Sequence, residues 1–198
     1  MKKLLSLACL LCLALALSAC EGAGPKSALD AASKALQAKD SQAFLAQIDM
    51  KSYAAHEMVN LKQDHKLLNR LDSIGDMLGL GSELNELLDQ IMDLENRTVK
   101  TLNRTVSSGE LVNMCTKAQT PDCPWVPEAL AKAEVKSLSE TEAVARVTTP
   151  ANMTSWIALR KADKDWKIVG KAVMEEDAAR FARDSQPLPQ AKTGAKPM

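Results

Sequence analysis

The chain has 198 residues, with 25 lysines and arginines against 25 acidic residues. That balance excludes the concentrated positive charge on which nucleic-acid binding rests, and no block of like charge stands out. The length suits one folded domain with one hydrophobic core.

The first elements in chain order are an address and a tether. Lys2 and Lys3 precede an apolar run from Leu4 to Leu17, which closes in Leu17-Ser18-Ala19-Cys20. A charged start, a greasy segment and small residues before a cleavage point are the parts of a secretory signal. Counting Ser18 and Ala19, the run holds about 16 residues, short of the roughly 20 that a helix needs to cross the hydrocarbon core. Leu17-Ser18-Ala19-Cys20 resembles the lipobox of bacterial lipoproteins. The resemblance implies that residues 1–19 are removed and that Cys20 becomes the new N-terminus. Its sulfur would carry a diacylglycerol, and its amine a further acyl chain such as palmitate. Two or three chains on one residue hold a protein at a membrane durably, whereas one binds only marginally. The expected location is the bacterial cell envelope, facing the periplasm. Glu21 follows the cysteine, and the choice between inner and outer membrane stays open.

A tether, residues 20–26, leads into an expected α+β domain over residues 27–184. Ser27 is placed to cap a first helix, with Asp30 in its first turn, and Leu29, Ala32 and Leu36 recur at helical spacing. Lys39-Asp40 breaks it, and Ala43, Phe44 and Ile48 form the apolar face of a second short helix. Two longer patterns follow. One carries Leu61, Leu68, Leu71, Ile74 and Leu78 and stops at Gly79-Leu80-Gly81. The other runs from about Ser82 through Leu88, Ile91, Val99 and Leu102 to Val106, before Ser107-Ser108-Gly109. Together they predict an antiparallel helical hairpin over 61–107. Met77 and Met92 lie on or beside its apolar faces, as core filler does.

Cys9 and Cys12 leave with the signal and Cys20 is taken by lipid, so Cys115 and Cys123 remain. In an oxidising compartment, two cysteines flanking a short turn-rich segment predict a structural disulfide. Pro121, Pro124 and Pro127 argue against regular structure. The period then changes to two. Ala131, Ala133 and Val135 begin the first strand; Ala143, Ala145 and Val147 carry the second; Met153, Ser155, Ile157 and Leu159 the third; Trp166, Ile168 and Ala172 the fourth. Ala162-Asp163-Lys164-Asp165 supplies a hairpin turn. Connections this short require an antiparallel four-stranded meander, over about 131–173, with one face under helices and the other more open. A last helix from about Glu175 to Arg183 places acids first and arginines last, as the helix dipole prefers. The proline-rich tail, 185–198, is expected to be disordered.

Two segments carry a family likeness. One is Ala31-Ala32-Ser33-Lys34-Ala35-Leu36-Gln37-Ala38-Lys39-Asp40 leading into Phe44 and Ile48. The other is the closing hairpin, Trp156-Ile157-Ala158-Leu159-Arg160-Lys161 and Asp165-Trp166-Lys167-Ile168-Val169. In this order they resemble the nuclear transport factor 2-like superfamily, and in particular its small bacterial lipoproteins. The resemblance implies a cone, with a sheet curled around a helix. Some such proteins are enzymes, while many bind ligands or other proteins. The chain departs from that pattern in its long insertion, Leu61 to Val106.

No motif for catalysis, metal binding or a cofactor is complete. His56 and His65 stand nine residues apart, about 900° around a helix and so on opposite sides. His56-Glu57-Met58-Val59 is followed by Asn60 where a zinc-protease helix carries its second histidine. Asp49, Asp72 and Asp76 lie beside apolar residues, as the buried carboxylate of an acid-base isomerase or hydratase would, but each reads more simply as a helix end or a solvated position. Glu175-Glu176-Asp177 is followed by Arg180, with Glu176 one turn before it, the spacing of a surface pair. The expected function is therefore binding. Its leading form is capture of an envelope protein on the outer side of the helical hairpin. The alternative is a small apolar ligand in the cone, with Trp156 and Trp166 at the mouth.

Overall fold

The computed structural model describes residues 24–63 and 94–183. Cys20, His65, Asp72, Asp76, Met77, Met92, the centre of the helical hairpin and the C-terminal tail lie outside the described residues.

The chain is α+β, as the periodicities predict. Helix α1, Pro25–Ala38, begins two residues before Ser27 because Pro25, with its fixed φ, takes the first helical position and Gly24 the cap. Ser27 Oγ instead donates to the Gly24 carbonyl. Lys39, at φ 55°, ends the helix in the left-handed region. Asp40 then caps α2, Ser41–Leu45, its Oδ1 accepting the Ala43 N–H at 2.9 Å. Helix α3, Met50–Gln63, had no counterpart in the periodicity. Helix α4, Leu94–Ser108, ends at the expected Ser107-Ser108-Gly109 stop. Gly109, at φ 76°, turns the chain into α5, Glu110–Lys117, which buries Leu111 and Cys115 one turn apart. Helix α6, Pro127–Ala131, corrects the sequence expectation twice. Pro127 starts a helix rather than forbidding one, and Ala131 ends that helix instead of opening a strand.

Strands β1, Glu134–Ser137, β2, Glu142–Thr148, β3, Thr154–Ala162, and β4, Asp165–Ala172, form the antiparallel meander, in spatial order β1-β2-β3-β4. Helix α7, Glu175–Arg183, has the bounds and charge order that its acids and arginines predict. Among the described residues no helix is long and apolar enough to cross a membrane.

Both faces of the sheet are covered. On one, Ala143, Ala145, Ile157, Leu159, Trp166 and Ile168 pack with Leu29, Phe44 and Trp125 in the main core. On the other, Val144, Ala158, Val169 and Ala172 pack under Ala178, Phe181 and Ala182 of α7. Arg160 fastens that helix, donating from Nε to the Ala182 carbonyl at 3.0 Å and from Nη2 to the Phe181 carbonyl at 2.9 Å. The second face is therefore closed rather than open.

The strict alternation expected of β4 is broken once. Ala158 opposes Gly170 while Leu159 opposes Ile168, so Val169 is an extra residue in the ladder. Such a bulge reverses the phase of everything beyond it. Trp166 and Ile168 face the main core, and Ala172 faces α7.

Helix α3 exists to cover the β4 edge, where unpaired backbone groups would otherwise invite another strand. Before it, Gln47 O accepts the Ile168 N–H at 2.8 Å, and the Asp49 N–H donates to Ile168 O at 2.9 Å. Along it, His56 Nδ1 bonds the bulged Val169 carbonyl at 2.7 Å, and Asn60 Nδ2 donates to Lys171 O at 2.9 Å. A carbonyl can only accept, so Nδ1 carries the proton. The inward face of α3 is thus partly polar, which is why an apolar-period reading passes over it.

Candidate cleft beside the disulfide

The disulfide joins Cys115, in the last turns of α5, to Cys123, with Cα atoms 5.0 Å apart. Two residues past the closed loop, Trp125 meets Tyr53 of α3, and Asp122 within the loop lines one cleft with residues of α3 and α4. Trp125 is buried, edge-on to Phe44 at 5.4 Å between ring centres and tilted against Tyr53 at 6.1 Å.

In front of these aromatic rings lies a cleft of about 380 Å³, within the range of small-molecule sites. Its apolar floor is Leu94, Leu102, Leu111 and Trp125. Tyr53 and Glu57 come from successive turns of α3, Arg97 and Thr101 from successive turns of α4, and Lys171 from the end of β4. Lys171 Nζ meets Glu57 Oε2 at 3.2 Å with both side chains mostly covered, so these charges neutralise each other. Arg97 and Asp122 are both exposed at the rim and form no ion pair among the described residues.

Burial pushes the Tyr53 hydroxyl well above the usual tyrosine value. The Glu57 carboxylate adds to the rise, and a hydrogen bond with the Trp125 side chain opposes it. The hydroxyl therefore stays protonated through the physiological range. Above about pH 10 an unfolded tyrosine loses its proton first, so the folded state holds more protons and stability falls as pH rises. Tyr53 is the one tyrosine in the chain. Tyr53→Phe is expected to move alkaline unfolding, followed by circular dichroism, to higher pH; an unmoved midpoint would show that other groups control it.

The two tryptophans proposed as a pocket mouth do not meet at one. Trp166 is buried in the main core, while Trp156 is half-buried on the opposite face, beside the α7 cluster. They are ten residues apart across a tight hairpin, and alternation puts them on opposite sides of the sheet. The concave interior expected to hold a ligand is filled by Leu29, Phe44, Ile157 and Ile168.

The remaining candidates have structural partners. Asp49 accepts from the Ser52 N–H at 3.2 Å and from Ser52 Oγ at 2.8 Å, capping α3. His56 lies stacked on Phe181, ring centres 4.2 Å apart. Glu175 pairs with Lys136 at 2.7 Å. Arg180 pairs with Asp177 at 2.8 Å, rather than with Glu176 as its spacing had implied. Among the described residues, no three His, Cys, Asp or Glu side chains gather as a metal site.

Sequence reasoning missed Tyr53, Glu57, Arg97, Asp122, Trp125 and Lys171 as one site. The available signals were local: the four-residue spacing of Tyr53 and Glu57, and Trp125 two residues beyond Cys123. In comparisons with protein-family models, curated proteins and solved structures, this chain matches none.

Proposed function

We propose that this chain is a bacterial envelope lipoprotein, held at a membrane through lipid on Cys20, whose folded part binds a small amphipathic molecule in the cleft. The observation that carries the binding half is the cleft's composition. An apolar floor suits a hydrocarbon or aromatic body, and Arg97 and Asp122 at the rim, without ion pairs among the described residues, suit charged ends of that molecule. The anchor half is supported by Leu17-Ser18-Ala19-Cys20 following an apolar run too short to span.

Binding rather than catalysis is supported by how three candidate ionisable groups among the described residues are committed. Glu57 is neutralised by Lys171, Asp49 caps a helix, and His56 serves the β4 edge. Capture of an envelope protein on the hairpin has less support. Among the described residues of the hairpin, the outer side of α4 exposes Glu95, Asn96, Lys100, Asn103 and Arg104 around a part-exposed Val99, a mainly polar surface for an interface.

The test is native mass spectrometry of residues 21–198 exported to the periplasm behind a separate cleavable signal. The chain is expected in the soluble fraction, carrying extra mass that denaturation releases and that Arg97→Ala or Trp125→Ala diminishes. Equal uptake of labelled palmitate by the native chain and by Cys20→Ala, or none by either, would overturn the anchor. A bare mass, with no retention of amphipathic zwitterions on titration, would overturn the cleft.

A further inference from the structure

The two ends of the sheet differ in chemistry. Thr148 opposes Thr154 and Trp156 opposes Ala172, so the β2–β3 turn and the exit from β4 share one end. At that end the seven residues from Thr148 to Thr154 carry no charge. Met153, Val173 and Met174 are 37%, 49% and 57% exposed there. At the other end, the β3–β4 turn runs Arg160-Lys161-Ala162-Asp163-Lys164-Asp165, with Glu140 in the neighbouring turn.

The start of α1 lies at the end that carries Met153. Lys26 Nζ donates to the Ala131 carbonyl at 2.8 Å. Ala131 stands just before β1, whose first residue Glu134 opposes Arg146, near the end of β2. From Cys20 to Pro25 the chain can reach at most about 18 Å. A lipid on Cys20 would therefore hold this end, and not the charged one, against the bilayer. Of the charges near this end, Glu175 is paired with Lys136, Asp177 with Arg180 and Glu134 with Arg146, while Glu176 is exposed.

We infer that the domain rests on the membrane by this end, with Met153, Val173 and Met174 in the headgroup layer and the charged turns pointing away. The inference depends on the lipid-anchor reading above. Three exposed apolar side chains form a weak second contact, of the kind that supplements an acyl anchor and fixes orientation.

The experiment uses the full lipidated chain in vesicles of phosphatidylethanolamine and phosphatidylglycerol. Single variants Met153→Cys, Met174→Cys and, as the far-end control, Lys164→Cys carry a nitrobenzoxadiazole fluorophore. All three positions are exposed, and circular dichroism checks each fold. Labels at 153 and 174 are expected to shift blue and to be quenched by headgroup-proximal nitroxide lipids about two-fold or more relative to 164. If the protein sediments with vesicles but the three positions quench alike, the orientation is wrong and the anchor stands. If the protein does not sediment, the anchor reading fails and the inference falls with it.

Discussion

Replacing Phe44 with alanine is expected to lower the stability of the domain by about 3–5 kcal/mol, the cost of deleting a large aromatic side chain from a packed core. Phe44 has no exposed surface and lies in the core between the helices and the sheet. Its ring meets the edge of Trp125 at near right angles, so truncation removes an aromatic pair as well as buried area. Because Trp125 floors the cleft, Phe44→Ala should also loosen the site, seen as a changed near-ultraviolet tryptophan signal in protein that is still folded. Phe44→Leu, which refills much of the volume, should cost less than half as much. Urea unfolding gives both numbers from the midpoints, provided the slope is unchanged. A loss under about 1 kcal/mol for the alanine variant would mean that the surrounding helices collapse onto the gap.

Removing the disulfide should rank second. Closing so short a loop stabilises a fold by about 2–3 kcal/mol in the chain-entropy account. Cys115→Ala with Cys123→Ala is expected to lose about that much, and reduction of the native protein should produce a similar fall. Alanine is the appropriate replacement, since Cys115 is fully buried and a serine hydroxyl would go unsatisfied there. The two effects also separate by site. Cys123 and its neighbours Asp122 and Trp125 line the cleft, so the double variant should weaken ligand retention even at temperatures where it is folded. Unchanged stability on reduction, with both thiols then free to label, would make the bond incidental.

Much of the fold was legible from local pattern. Asp40 caps α2 and Gly109 follows the end of α4, because those residues satisfy or relax helix ends wherever they fall. The strands and the α7 bounds followed from alternation and from the ordering of acids and arginines. Helix α3 was not legible, since its inward positions include His56 and Asn60, which serve β4 carbonyls rather than an apolar core. Helix α6 was hidden by treating Pro127 as a breaker at a position where proline is welcome.

By itself the sequence determined the α+β order, the antiparallel meander and the pairing of Cys115 with Cys123. Each depends on neighbours within a few residues, the two cysteines being eight apart. The tertiary structure alone decided three things. The bulge at Val169 sends Ala172 to the face opposite Ile168. The cleft joins Tyr53, Arg97 and Lys171 from three separate elements with Trp125 from the loop before α6. The start of α1 shares an end of the sheet with Met153 and Met174 rather than with the charged turns. The physical reason is common to all three: periodicity records which side of its own element a residue takes, whereas a site depends on where strand register and helix docking carry distant residues.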